Sequence, residues 1–114
     1  MKYLEFRIGS KDLAIDLYTN YIIEPTLINK IGPKTINMKH SNLLDGMINY
    51  KNKMVDVFDI APLYNQEKLR KFDGLVFIEN DMTYAIKFEG FHEIVHETNN
   101  EIINVDELIK NFES

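Results

Sequence analysis

The residues with the most chemically suggestive spacing are two histidines and a glutamate. His92-Glu93-Ile94-Val95-His96 reads H-E-x-x-H, the pattern in which two imidazoles hold zinc while the glutamate serves as general base toward a metal-bound water. That chemistry needs a helix, because only there do residues four apart lie on one face within reach of a single ion. On a strand the two histidines would point the same way about 13 Å apart, at a rise of roughly 3.3 Å per residue, and one zinc with ligands about 2 Å away would not join them. The local pattern leaves both open. Phe91, Ile94 and Val95 would share a helical face, whereas Ile94-Val95 is β-branched and Gly90 and Asn99-Asn100 bound the stretch. Nothing else in the catalytic inventory adds weight. Asp56 and Asp59 have an odd offset and fall on opposite faces of a strand, and Glu93 and Glu97 read as solvated carboxylates rather than an acid/base pair.

The elements must decide where that motif sits, and composition bounds them. At 114 residues the chain is expected to form one domain, 1–114, with a real core; 45% hydrophobic and 27% charged residues are the proportions of a globular protein. A net charge of −5 with dispersed bases argues against a nucleic-acid partner. The absence of cysteine removes disulfides and thiolate zinc sites, which suits the cytoplasm. Glu5 and Arg7 occupy the place where a signal peptide would be apolar, and no stretch has the length of a membrane span, so neither secretion nor membrane insertion is expected.

Leu4, Phe6 and Ile8 alternate with polar neighbours, Gly9-Ser10-Lys11-Asp12 reads as a turn, and Leu13, Ile15 and Leu17 alternate again, which predicts a first hairpin. Tyr21-Ile22-Ile23 continues or follows its second strand, and Pro25 marks a break. The segment TLINKIGPKTINMKHSN has no sustained period and reads as a connection. Residues 47–50 and 54–60 flank the polar turn Lys51-Asn52-Lys53 as a second hairpin, with Asn52 suited to positive φ. After Pro62 a short helix is expected, and residues 66–71 read as a solvated linker. Residues 75–79 and 82–89, around Asn80-Asp81, predict a third hairpin in which Met82, Tyr84, Ile86 and Phe88 share a face. The end of the chain predicts a short strand, Asp106 as a helix cap, and a turn of helix burying Leu108, Ile109 and Phe112. Repeated hairpins at this spacing predict an all-β barrel or sandwich.

The second hairpin, DGMINYKNKMVDVFDI, resembles the signature of the CheW-like adaptor domains of bacterial chemotaxis. The family pattern is a Gly opening a strand, an Asn-containing strand end, a basic turn, and a return strand ending apolar-apolar-Asp-Leu. Here Gly46, Met47-Ile48-Asn49-Tyr50, Lys51-Asn52 and Val57-Phe58-Asp59-Ile60 stand in those places. YLEFRIGSKDLAIDL is similar to the family's first hairpin, through Ala14-Ile15-Asp16-Leu17, and DGLVFIENDMTYAIKFEGFHEIVHE to its later paired strands. The resemblance implies an all-β fold of two small intertwined SH3-like barrels with a short C-terminal helix, no enzymatic activity and no cofactor. It implies a scaffold tying the regulatory domain of a CheA-type histidine kinase to the cytoplasmic tips of methyl-accepting chemoreceptors. Partner contact falls to Ile22, Ile23, Asn49 and Lys51, with Gly46 and Asp59 shaping the hairpin. It also implies that residues 91–97 form an irregular strand, so that His92 and His96 cannot cooperate.

Two departures from the family stand out. The family's Glu before the second strand's end and its turn Arg, which can pair, are replaced: the step reads Asn20-Tyr21-Ile22-Ile23 and the Arg is Lys51. The pair is therefore absent, or remade between Glu24 and Lys51. After His96-Glu97, Thr98-Asn99-Asn100 runs almost directly into the closing strand and helix, so the second barrel is expected to be shortened. Exposed backbone edges would follow, favouring a homodimer or an obligate complex, unless the edge is simply polar. Two alternatives accompany the adaptor reading: a partial adaptor that binds one partner without coupling, and, from a different class, a zinc hydrolase at His92, Glu93 and His96.

Overall fold

The computed structural model describes residues 1–34 and 41–113, and within it the alternating N-terminal segment forms a tight hairpin. β1 (Tyr3–Ile8) and β2 (Lys11–Asp16) pair antiparallel about Gly9-Ser10, with Ile8 opposite Lys11. Gly9 takes φ 60°, the left-handed turn conformation that glycine adopts without steric cost. Leu4, Phe6 and Ile8 with Leu13 and Ile15 are all buried, so the period-2 pattern becomes one core face.

β3 (Ile22–Thr26) pairs antiparallel with β6 (Gly74–Glu79), with Pro25 opposite Val76. The expected break at Pro25 does not occur. β6 is the only strand that β3 pairs with among the described residues, and a strand with one free side has room for a residue that lacks an N–H. Within the long connection Gly32 makes an antiparallel bridge to Met47; residues 35–40 of that connection lie outside the described residues.

β4 (Leu44–Tyr50) and β5 (Lys53–Phe58) form the second hairpin, three residues longer at its start than the pattern of 47–50 indicates. Its two-residue turn, Lys51-Asn52, has both residues at positive φ, 51° and 64°, the primed geometry that matches strand twist. β5 then runs parallel to β7 (Thr83–Val95), and β6 pairs with β7 antiparallel. The order β4-β5-β7-β6-β3, with Gly32 returning to β4, closes a five-stranded barrel. Val55, Val57, Leu75, Phe77 and Ala85 fill it.

β7 has thirteen residues and carries the chain out of that barrel. Its second part pairs with β1 on the far side of a register shift, and β8 (Glu101–Ile102) lies parallel to β2. Among the described residues the second sheet therefore has four strands, in the order β7-β1-β2-β8. Helix α1 (Val105–Phe112) buries Leu108 and Phe112 against the larger core, with Ile109 partly buried, and the Phe112 ring stacks on Phe58 at 3.9 Å. Its cap is Asn104, whose side chain accepts from the Glu107 N–H; Asp106 instead lies in the first turn and accepts from the Tyr21 hydroxyl. Residues 75–78 and 85–88 are buried without alternation because one face lines the closed barrel and the other the core shared with the second sheet.

After β5 the helix expected beyond Pro62 is a 3₁₀ turn, Ala61–Tyr64. Residues 66–71 are more than a solvated linker. Leu69 is buried, and Gln66 Oε1 accepts from the Ser10 N–H and hydroxyl, tying this segment to the first hairpin.

Candidate partner-binding surface

The Lys51-Asn52 turn stands at the rim of the closed barrel, and the residues beside it lock that rim. The Tyr50 ring stacks on Phe77 at 3.7 Å, and its hydroxyl donates to Glu24 Oε2 at 2.7 Å. Lys51 Nζ lies 3.9 Å from the same carboxylate oxygen and 5.1 Å from the centre of the Tyr50 ring. Glu24 and Lys51 thus form the remade ion pair, at the outer limit of contact and mostly solvated, with Tyr50 as the closer partner of the acid. Solvent screens a pair this exposed, and the stacked rings beneath it contribute about 0.5–1.5 kcal/mol. Burial, then the bond to Glu24, raises the Tyr50 phenol above its ordinary value, and the adjacent Tyr50 oxygen raises the Lys51 ammonium. Around the rim Lys53 pairs with Glu79 at 3.6 Å, and Glu79 also accepts from the Thr83 hydroxyl.

The other expected contact residues divide. Ile22 is 62% exposed on β3, two residues from Glu24 and therefore on the same face, so Ile22 and Lys51 share one rim. Asn49 is exposed on the wall of β4, directly opposite Met54, which is 58% exposed. Ile23 is turned the other way, half buried against the larger core, and supports the rim from behind. Tyr50 and Met54 were not singled out by the sequence pattern. The signal for Tyr50 was its place at the end of an alternating strand, one residue before the turn.

Gly46 and Asp59 are positioned by packing rather than exposure. A Cβ on Gly46 would stand 2.3 Å from the Gly32 carbonyl oxygen and 2.7 Å from Ile31 Cδ1, at the point where the barrel closes. Asp59 is fully buried; Oδ1 accepts from the Ala61 N–H at 3.0 Å and Oδ2 from the Leu69 N–H at 2.7 Å. The carboxylate holds the 3₁₀ turn and the return segment to the end of β5.

The H-E-x-x-H residues are on β7 and just beyond it, not on a helix. The His92 ring packs edge-on against Phe88, while His96 Nδ1 lies 3.3 Å from the Met1 carbonyl oxygen. The two imidazoles are engaged separately, and the geometry that zinc hydrolysis requires is missing. No group of three or more metal-ligating side chains is assembled among the described residues. Nor is any helix there long and apolar enough to cross a membrane.

No family model matches the chain, and no curated protein matches it. Among solved structures, the crystal structure of the scaffolding protein TtCheW from Thermoanaerobacter tengcongensis matches with a TM-score of 0.66 and 16% identity, over 86% of this chain. The fold is CheW-like. The alignment takes in 62% of the TtCheW chain, so this chain spans less than two thirds of that protein's length. Among the described residues, β7 passes to β8 through residues 96–100, and the second sheet has four strands.

Proposed function

We propose that the protein is a non-enzymatic chemotaxis adaptor of the CheW type. In this reading it works in the cytoplasm, recruited to chemoreceptor arrays, and holds the regulatory domain of a CheA-type kinase against the cytoplasmic tip of a receptor. The CheW-like fold supports the proposal, together with the exposure of Ile22 and the Lys51-Asn52 turn at the rim of the closed barrel and of Asn49 on the wall beside it. An adaptor needs no reacting group; it needs two rigid surfaces that keep two partners near each other. Ile22 and Met54 offer exposed apolar contact, Lys51 a cation held by Glu24 and Tyr50, and Ile23 a fixed base for the strand.

Calorimetric titration with a CheA regulatory domain, and separately with a receptor-tip fragment, tests the reading. Binding to both is expected, and Lys51→Glu should weaken at least one of them tenfold or more while leaving the thermal midpoint in place. Unchanged affinity in that variant would remove the rim from the interface. A second reading, an adaptor that engages one partner without coupling two, is favoured by the four-stranded second sheet. It predicts heat with only one of the two fragments.

A further inference from the structure

The two halves of the fold differ in charge. Residues 22–88, which build the closed barrel, include eight acids and nine bases; residues 1–21 and 89–113 include ten acids and four bases. Many acids of the second group gather on the outer face of the four-stranded sheet. Directly opposed residues of paired strands share a face, so Glu89, Arg7 and Asp12 form one row, Glu93, Glu5 and Ala14 the next, and Val95, Tyr3 and Asp16 a third. Two of the cations nearby are already engaged, Arg7 with Asp12 at 3.0 Å and Lys11 with Glu101 at 2.9 Å. Glu5 accepts from the Thr98 hydroxyl and faces Glu93, a like-charge pair in adjacent strands. Glu93 meets no cation among the described residues.

These acids lie along an open edge. Beyond Gly90, β7 pairs only with β1 among the described residues, so its other side offers main-chain donors and acceptors to an incoming strand. Phe91 is 73% exposed beside Arg7 and Asp12, and Ile94, on the opposite face of the strand, is 58% exposed. A strand laid along this edge would set alternate side chains over Glu93 and Phe91 on one face and beside Ile94 on the other. The first face attracts a cation through the carboxylates and the Phe91 ring; the second favours an apolar group. A second copy of this chain, with a net charge of −5 and the same acidic strand, would meet its own repulsion there.

We propose that the β7 edge at residues 91–95 binds an extended segment of a partner protein in which Lys or Arg alternates with apolar residues, added as a further strand. The charge on β7 fixes the partner's sign, and the alternation of Glu93 with Ile94 fixes its period. The site is built from the second sheet and is independent of the rim around Lys51.

The test uses the full chain and labelled eight-residue peptides in fluorescence anisotropy. One peptide alternates Lys with Val, a second has the same composition with its lysines grouped at one end, and a third has Glu in place of Lys. Binding of the alternating peptide alone, weakening as salt rises, is expected, with slowed amide exchange at residues 91–95. Glu93→Lys should weaken it at least tenfold without lowering the thermal midpoint. Equal binding of the grouped peptide, unchanged affinity in Glu93→Lys, protection elsewhere, or sedimentation showing copies of the chain associated through this edge would each overturn the proposal.

Discussion

Replacing Asp59 by alanine removes an acceptor from two backbone donors at once. The carboxylate is fully buried and bonds the Ala61 N–H at 3.0 Å and the Leu69 N–H at 2.7 Å. Each buried donor left without a partner costs about 1–3 kcal/mol, so the two together cost about 2–6 kcal/mol. A chain of this size has a total stability of about 5–15 kcal/mol, so Asp59→Ala should lose a large share of it. The expected value is about 4 kcal/mol, since relieving the desolvation of a buried charge and admitting water both offset part of the loss. Urea denaturation followed by circular dichroism measures this directly, as a lower midpoint at an unchanged slope. Amide exchange should quicken first at Ala61 and Leu69. A loss below about 1 kcal/mol, with those two amides still protected, would refute the assignment of Asp59 as the clamp between β5, the 3₁₀ turn and the return segment.

Gly46→Ala should destabilise by about 1–3 kcal/mol, the cost of overpacking, because its Cβ would meet the Gly32 carbonyl; faster exchange at Gly32 and Met47, which bond each other's backbone, would locate the damage. Tyr50→Phe should change the alkaline limb of stability. A phenol whose folded value is raised contributes stability that is fully present below its unfolded value, about 10, and lost as pH rises through the folded one. Denaturation midpoints measured above pH 10 should therefore fall less steeply in the variant, though not flatten, since Tyr21, Tyr64 and Tyr84 are raised as well.

Much of the fold was legible because strands declare themselves by alternation. Leu4, Phe6 and Ile8 mark β1, and Lys51-Asn52 marks the turn of the second hairpin. Where the reading failed, the information was not local. Pro25 stays inside β3 because that strand has a free side, which depends on its neighbours. Asn104, not Asp106, is the cap because the helix begins at Val105, which puts Asp106 inside the first turn, where it accepts from the Tyr21 hydroxyl across 85 positions of sequence. The rim was only half legible. The sequence allowed Glu24 and Lys51 either to pair or to stay apart, and the stacking of Tyr50 on Phe77 decided it by delivering the phenol to the acid.

The amino-acid sequence by itself determined the hairpins, the buried alternation and the excess of acid at the two ends of the chain, because these depend on residue type and spacing of two or three. It also contained an H-E-x-x-H pattern whose meaning it left open. Only the tertiary structure decided that meaning: β1 pairs with Glu93, Ile94 and Val95 and holds them extended. Backbone hydrogen bonds to a strand some ninety residues away, not local propensity, keep the two imidazoles apart and turn the motif into an edge.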